Sequence, residues 1–384
     1  MTRKFFYTLI LFCLLAAVAT SCKKDPAETI AEQIWEYAQK NPEGFNLDIN
    51  TMTEPAEGVA VSYENTQAFY SREALSLVVR HAREHDGYVC GWRDEESGQF
   101  IFGSDKLFPE SQLEEAKAFG RANRQQNVFI ISSTTVLDLN KKLISTYYYG
   151  GTDPEDLSTY TKKTFEYDAL GRIVLEAADV PEIGHATHKV YSYGDGTIQW
   201  TLYSGEIAEE NATDRAEYTL NENGFIQSWV QTNLIDQETA RFECRYDVQN
   251  HLTRIWQTDD TKELTITWEN GEMVSANNNN NNELVYTASD TPSRGLWPGS
   301  AVPGILFIEF NLLNMGCFGP LSPSLPATVK GTTPSTVTDH QYTYEAVDGL
   351  LQSFVEIQTT HIQMGTISFD TEYTYYQKVE WRDI

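Results

Sequence analysis

Short hairpin units recur along the C-terminal two-thirds of the chain at nearly constant spacing, and this repetition restricts the fold more than any other feature. The clearest unit is Phe165-Glu166-Tyr167-Asp168-Ala169-Leu170-Gly171-Arg172-Ile173. It recurs as Tyr191-Ser192-Tyr193 leading to Gly196 and Ile198, and as Tyr218-Thr219-Leu220 leading to Gly224 and Ile226. Further copies are Cys244-Arg245-Tyr246-Asp247 leading to Asn250 and Leu252, Ile266-Thr267-Trp268 leading to Gly271 and Met273, and Tyr342-Thr343-Tyr344 leading to Gly349 and Leu351. Positions 167, 193, 220, 246 and 268 lie 26, 27, 26 and 22 residues apart. Each unit supplies a strand, a tight turn with Gly or Asn where a positive φ is needed, and a returning strand. Alternation such as Thr265-Ile266-Thr267-Trp268 marks a half-buried strand. Hairpins in series predict an antiparallel meander of about twelve strands, which must curl, close, or protect two edges.

The region before the repeats obeys other periodicities. Asp25 suits a helix N-cap, Pro26 the first helical position and Glu28 a capping-box acid, and Ile30, Ile34 and Ala38 follow at helical spacing until Asn41-Pro42. Gly58 to Tyr63 reads as a strand, Arg72 to His85 as a helix, and Tyr88 to Trp92 and Gln99 to Gly103 as a hairpin. A helix from Pro109 to Asn123 and a strand from Asn127 to Ser132 complete an α-β-α-β-β-α-β order, an α+β domain. The predicted organisation is a signal segment at 1–21, a small α+β domain at 22–135 and an all-β antiparallel hairpin-repeat domain at 136–384, curled or barrel-like. A segment at about 290–335 interrupts the repeats. It holds seven of the thirteen prolines and the apolar run Ile305 to Met315, and is predicted to be a short helix or packed loop plugging the sheet.

The N-terminus reads as an export address. Arg3 and Lys4 precede fourteen nearly unbroken apolar residues from Phe5 to Val18, whereas a spanning helix needs about 20. Ala19-Thr20-Ser21-Cys22 resembles the lipobox of bacterial lipoproteins, departing from it at Ala19, where leucine is commoner. The resemblance implies cleavage before Cys22, acylation of Cys22, and residence at the outer membrane, on the periplasmic face or the cell surface. Lys24-Asp25 partly matches the signal of Bacteroidetes-type surface lipoproteins. The net charge of −27 becomes −29 once Arg3 and Lys4 are removed with residues 1–21, and such a surface repels nucleic acid. Cys90, Cys244 and Cys317 remain beside Cys22, an odd number that fits no closed disulfide framework.

Little else points to chemistry. His81-Ala82-Arg83-Glu84-His85 fits an H-x-x-E-H zinc pattern, making His81, Glu84 and His85 the candidate metal ligands. The same residues fill the last turn of a helix, where the dipole favours cations, so the expectation is no metal and no cofactor. Cys90 reads as a buried thiol, with a Cys-His pair to His81 or His85 as the catalytic alternative. Six asparagines at 277–282 read as a hairpin tip.

Two resemblances bear on the whole chain. Tyr167-Asp168 with Gly171-Arg172 is similar to the YD repeat. The hairpin series, the break at Gly316-Cys317-Phe318-Gly319 and the closing strands Gln341 to Glu345 and Glu372 to Glu380 resemble a family of Bacteroidetes lipoproteins of unknown function with a porin-like fold. Gly44-Phe45, Thr66-Gln67, Gly91-Trp92 and Phe129 resemble a small uncharacterised module of the same source, which marks a boundary and no activity. Charged and amide residues on the non-core face, such as Glu217, Gln227, Arg245, Gln257 and Glu380, predict a tethered sheet in water, not a lipid-facing wall. The resulting expectation is a non-enzymatic envelope lipoprotein presenting a hydrophobic or glycan ligand with an aromatic-rich sheet. The alternatives are an interaction platform for an envelope protein partner, and a hydrolase or metal site in the N-terminal domain.

Overall fold

The computed structural model describes residues 25–64, 66, 72–94, 97–180, 184–278, 282–293, 296–301, 308–348, 350–364 and 367–383. Cys22, Gln67, Gly349 and part of the proline-rich insert lie outside the described residues. The chain divides between Lys141 and Lys142 into two units.

The first unit opens with helix α1 (Pro26–Lys40), where the Asp25 carboxylate accepts from the Ala27 amide at 3.0 Å and Pro26 sits where a missing N–H costs nothing. Strands β1 (Phe45–Asp48) and β2 (Val59–Ser62), helix α2 (Arg72–Glu84), strands β3 (Tyr88–Arg93) and β4 (Phe100–Phe108), helix α3 (Leu113–Ala122), and strands β5 (Asn127–Ile130) and β6 (Thr135–Asp138) follow. The antiparallel sheet runs β1-β3-β4-β2-β5-β6. Ala31, Ile34, Leu75 and Val79 of α1 and α2 pack on Leu47, Val89 and Phe102 of the sheet. Helix α3 approaches the same face so closely at Gly120 that a Cβ there would meet Leu139 at 2.6 Å. Strands β1 and β6, absent from the sequence reading, have four residues each, too few for alternation to stand out.

In the second unit, among the described residues, sixteen antiparallel strands close into a barrel where the sequence reading gave about twelve. The first, Lys142–Gly151, pairs with the last, Ile367–Asp383, in a register that sets Tyr147 opposite Val379. Closure leaves no exposed edge between first and last strands. Inward positions form one apolar core containing Trp200, Tyr218, Ile226, Trp229, Phe242 and Phe354. Outward positions carry exposed Arg215 and Glu217 on the strand Ala212–Leu220 and, two strands along, Arg241, Glu243 and Arg245 on Thr239–Tyr246.

The repeat has a physical explanation in the hairpins. Asp168 Oδ1 accepts from the amides of Leu170 and Arg172, both at 3.0 Å, and its other oxygen pairs with the Arg172 guanidinium at 2.7 Å. Asn221 and Asp247 bind their turns in the same way. A bulge follows at Glu166/Tyr167, Thr219/Leu220 and Arg245/Tyr246, next to Ile173, Ile226 and Leu252 on the returning strand. A bulge takes carbonyls out of the ladder. The next repeat supplies the missing donor: Tyr193 OH to the Ile173 carbonyl at 2.7 Å, Tyr246 OH to Ile226 at 2.6 Å, and Trp268 Nε1 to Leu252 at 2.8 Å. The copy with Leu220 in place of the aromatic follows the hairpin of His185–Gly194 and Thr197–Ser204, whose pairing carries no register shift. That hairpin leaves no displaced carbonyl for a phenol to satisfy.

Part of the insert packs inside the barrel, whereas Ser324–Thr332, within the predicted bounds of 290–335, is a wall strand paired on both sides. Leu296, Trp297, Ile308, Leu312, Leu313 and Phe318 belong to the barrel core, with a short helix at Phe310–Asn314. The Cys317 carbonyl accepts from the Ile226 amide and Ser322 Oγ from the Met273 amide, both at 2.8 Å. These ties fix the plug at the end of the barrel formed by the tight turns. The hairpin of asparagines pairs Asn278 with Asn282, and 279–281 lie outside the described residues.

Candidate functional site

Among the described residues, the plug leaves space at the other end of the lumen. There an open chamber of about 500 Å³ is lined by Tyr147, Tyr149, Lys163, Phe310, Glu356, Gln358, Tyr375 and Gln377. A second chamber of about 350 Å³ shares Gln358 and is lined further by Asn278, Asn282, Thr338 and His340. Both fall in the range of about 300–1,000 Å³ usual for small-molecule sites.

Alternation places these side chains. On the strand Leu350–Met364, inward positions run Phe354, Glu356, Gln358, and on its neighbour Gln377, Tyr375 and Tyr373 stand opposite them. The Tyr147 and Tyr149 rings lie 5.5 Å apart at 25°, and Phe310 of the plug lies 6.2 Å from Tyr147 at 17°. Together they make an aromatic shelf built by wall and plug. Tyr375 stacks on exposed Tyr373 at 6.2 Å, extending the aromatic surface outward.

Two polar networks hold the shelf. In the first, Lys163 pairs with Glu176 at 2.8 Å, and Lys189 with Glu309 at 2.9 Å. Asn311 of the plug helix donates to Glu176 and, at 2.8 Å, to the Tyr191 hydroxyl, which in turn donates to Glu309 at 3.1 Å. Glu309 Oε2 also caps the helix, accepting from the Leu312 amide at 2.8 Å. Burial disfavours charge on Lys163 and Lys189, yet the charge of Glu176 keeps Lys163 above its ordinary value and that of Glu309 does so for Lys189. The charges of Lys163 and Lys189, with hydrogen bonds from Lys163 and Asn311, likewise hold Glu176 below its ordinary value against the burial penalty. In the second network His340 Nδ1 lies 2.7 Å from Glu356 Oε1, Gln377 Nε2 donates to Glu356 Oε2 at 3.3 Å, and the Tyr147 hydroxyl donates to Gln377. Burial, then the Glu356 charge, pushes the Tyr147 phenol up, so it stays protonated and remains a donor.

The residues singled out in the sequence lie elsewhere. His81 and His85 end α2 with rings stacked 3.8 Å apart, His81 Nδ1 3.0 Å from Ser104 Oγ and His85 Nδ1 2.8 Å from the His81 carbonyl. Burial, then the neighbouring His85, lowers the His81 pKa. Glu84 is exposed, and among the described residues no group of three or more His, Cys, Asp or Glu side chains is arranged to hold a metal. Cys90 is not paired with either histidine. Ser104, which meets His81, and Asp105 are successive in β4 and therefore face opposite sides of the sheet, and Cys90 lies with Asp105, its Sγ 3.1 Å from Oδ1. Burial pushes the Cys90 thiol far up, and the Asp105 charge adds to this, which makes it unreactive. Cys317 packs against the barrel core. The helix-free face holding Cys90, Ser62 and Asp105 borders a broad cavity of about 1340 Å³ that also touches Trp92 and Phe129.

Sequence reasoning placed Phe310 in the plug but singled out none of the wall residues that line the chamber. One signal was available: Glu356 and Gln358 continue the inward alternation of Phe354, so polar groups occupy positions that the pattern reserves for core.

No protein-family model matches the chain, and no curated protein matches it. Among solved structures, it is similar to a porin-like protein from Bacteroides uniformis, at 14% identity and a TM-score of 0.46, over 62% of this chain and 96% of that one. It is also similar to a porin-like protein from Bacteroides vulgatus, at 9% identity and a TM-score of 0.30, over 64% of this chain and 100% of that one.

Proposed function

We propose that this protein is an outer-membrane lipoprotein, tethered through lipid on Cys22, whose plugged barrel is a receptor for a ligand bound in the lumen. The observation that carries the reading is the open, tyrosine-lined chamber of about 500 Å³ at the barrel end opposite the plug. The outer wall supports tethering over insertion. Arginine facing lipid at the bilayer midplane costs about 2–4 kcal/mol per residue. Arg215, Arg241 and Arg245 stand exposed on that wall, interspersed with Glu217 and Glu243. A barrel with this exterior sits in water and needs a separate anchor, which Cys22 supplies with two or more acyl chains.

Two measurements test the parts separately. Growth with alkyne-palmitate labels the protein and sends it to the membrane fraction, and Cys22→Ser abolishes both; a labelled or membrane-bound Cys22→Ser protein refutes the anchor. Native mass spectrometry of the full chain, released from membranes in mild detergent, shows a bound species beyond the acyl modification. Its absence, after extraction under both lipid and glycan protocols, refutes the receptor reading.

A further inference from the structure

We infer that the lumen ligand is an uncharged polyhydroxylated molecule, an oligosaccharide long enough to enter both chambers. This rests on the receptor reading and narrows it to one chemical class.

Three observations select the class. The half-buried rings of Tyr149 and Phe310, each near-parallel to the buried Tyr147 between them in the stack, offer aromatic surface suited to the C–H face of a pyranose ring. An acyl chain also packs on such a shelf, but the same chamber carries half-buried Lys163, whose ammonium lies 5.5 Å from the Tyr149 ring centroid, and half-buried Gln358. Covering those groups with hydrocarbon removes their water and returns no hydrogen bond, a cost that hydroxyl groups avoid. The ligand therefore needs an apolar face and a polar edge on one rigid body.

The charge follows from pairing. Lys163 and Lys189 are matched by Glu176 and Glu309 at 2.8 and 2.9 Å. Both oxygens of Glu356 are occupied, one by His340 and one by Gln377. An acidic ligand would have to take Lys163 from buried Glu176, and a basic one would have to take Glu356 from His340. A neutral ligand leaves both networks intact.

The length follows from Gln358. Its side chain borders both chambers, and its amide group donates to Thr360 Oγ1 at only 3.4 Å, a long bond that a ligand hydroxyl can replace. The second chamber sets Asn278, Asn282 and Thr338 beside the apolar Leu264, Ala276 and Leu284, again an apolar face with a polar edge. A sugar ring stacked on Tyr149 lies in the first chamber, and a further ring would enter the second, where Asn278 and Thr338 stand beside Gln358.

The test uses the full chain on a glycan array spanning neutral, uronic-acid and sialylated oligosaccharides, with a fluorescent fatty-acid analogue as the apolar probe. The expected result is retention of neutral oligosaccharides, with the monosaccharide of the best ligand at least tenfold weaker by calorimetry. Tyr149→Ala and Gln358→Ala each weaken that binding at least tenfold, with melting temperatures reported alongside, and Thr219→Ala on the outer face leaves it unchanged. Binding of the fatty-acid analogue that is lost in Tyr149→Ala overturns the saccharide class and leaves the receptor reading standing. Preference for acidic glycans overturns the neutrality argument. Glycan binding that survives both Tyr149→Ala and Gln358→Ala overturns the lumen as the site. Failure of every probe, together with no bound species in native mass spectrometry, overturns the receptor reading itself.

Discussion

Glu176→Leu tests whether charge pairing holds the plug to the wall. Glu176 is 6% exposed, faces Lys163 at 2.8 Å and accepts from Asn311 of the plug helix. Removing it leaves the Lys163 ammonium with its largest compensating charge gone while burial still opposes ionisation. Breaking one side of a buried pair costs about 3–5 kcal/mol, whereas replacing both sides with apolar groups of similar volume is near neutral. For a domain of this size that loss lowers the melting temperature by about 6–20 °C. Differential scanning calorimetry of the full chain then gives the order wild type, Lys163→Met/Glu176→Leu close below it, and Glu176→Leu far lower. A double variant melting as low as the single one refutes the reasoning, because the loss would then come from packing and not from an orphaned charge. The pH dependence follows the same pairing. Glu176, depressed below its ordinary 4.5, stabilises the fold above that value and loses this contribution as pH falls through its lower folded pKa. Lys163 and Lys189, raised above 10.5, stabilise it below that value and lose their contribution as pH rises through their higher folded pKa values. The wild type therefore keeps the full contribution between these limits, and the double variant has a shallower acid limb.

Three further outcomes follow from named contacts. Tyr246→Phe leaves the Ile226 carbonyl without its 2.6 Å donor and costs about 1–3 kcal/mol by urea denaturation, while Leu220→Val, at the copy with no displaced carbonyl, costs less. Gly319→Ala lowers the melting temperature, because its φ of +89° disfavours a side chain and the new Cβ would lie 2.4 Å from the Asn250 carbonyl oxygen; an unchanged melting temperature refutes this close approach. Cys90 resists iodoacetamide at pH 8 in the native protein and reacts after denaturation, since burial first and Asp105 second raise its pKa; rapid native labelling in peptide mapping contradicts this.

Much of the fold was legible because its causes are local. Asp25 and Pro26 start α1 by satisfying or omitting amides within one turn. Tyr-Asp with a following Gly-Arg specifies a hairpin because the acid binds its own turn within four residues. The plug announced itself as an apolar, proline-rich run that no hairpin pattern accommodates. The site was not legible. Tyr147, Lys163, Phe310, Glu356 and Tyr375 come from four wall strands and the plug, with no fixed spacing among them. The pattern at His81 and His85 shows the converse: helical spacing brought two rings together, and tertiary packing gave their Nδ1 atoms to Ser104 and a carbonyl.

The sequence by itself determined that this chain makes hairpins in series, and it placed a phenol or indole to satisfy carbonyls displaced in the preceding hairpin. Those preferences act over some twenty residues, so a single copy expresses them. Only the tertiary structure decided that the series closes, because closure pairs Lys142 with Asp383, residues that no local rule relates. Closure turned one sheet face into an interior, and the plug filled one end of it. The remaining end became a chamber because Lys163, Glu356 and Gln377, inward-facing by alternation, found partners for their charges and amides on the neighbouring wall strands.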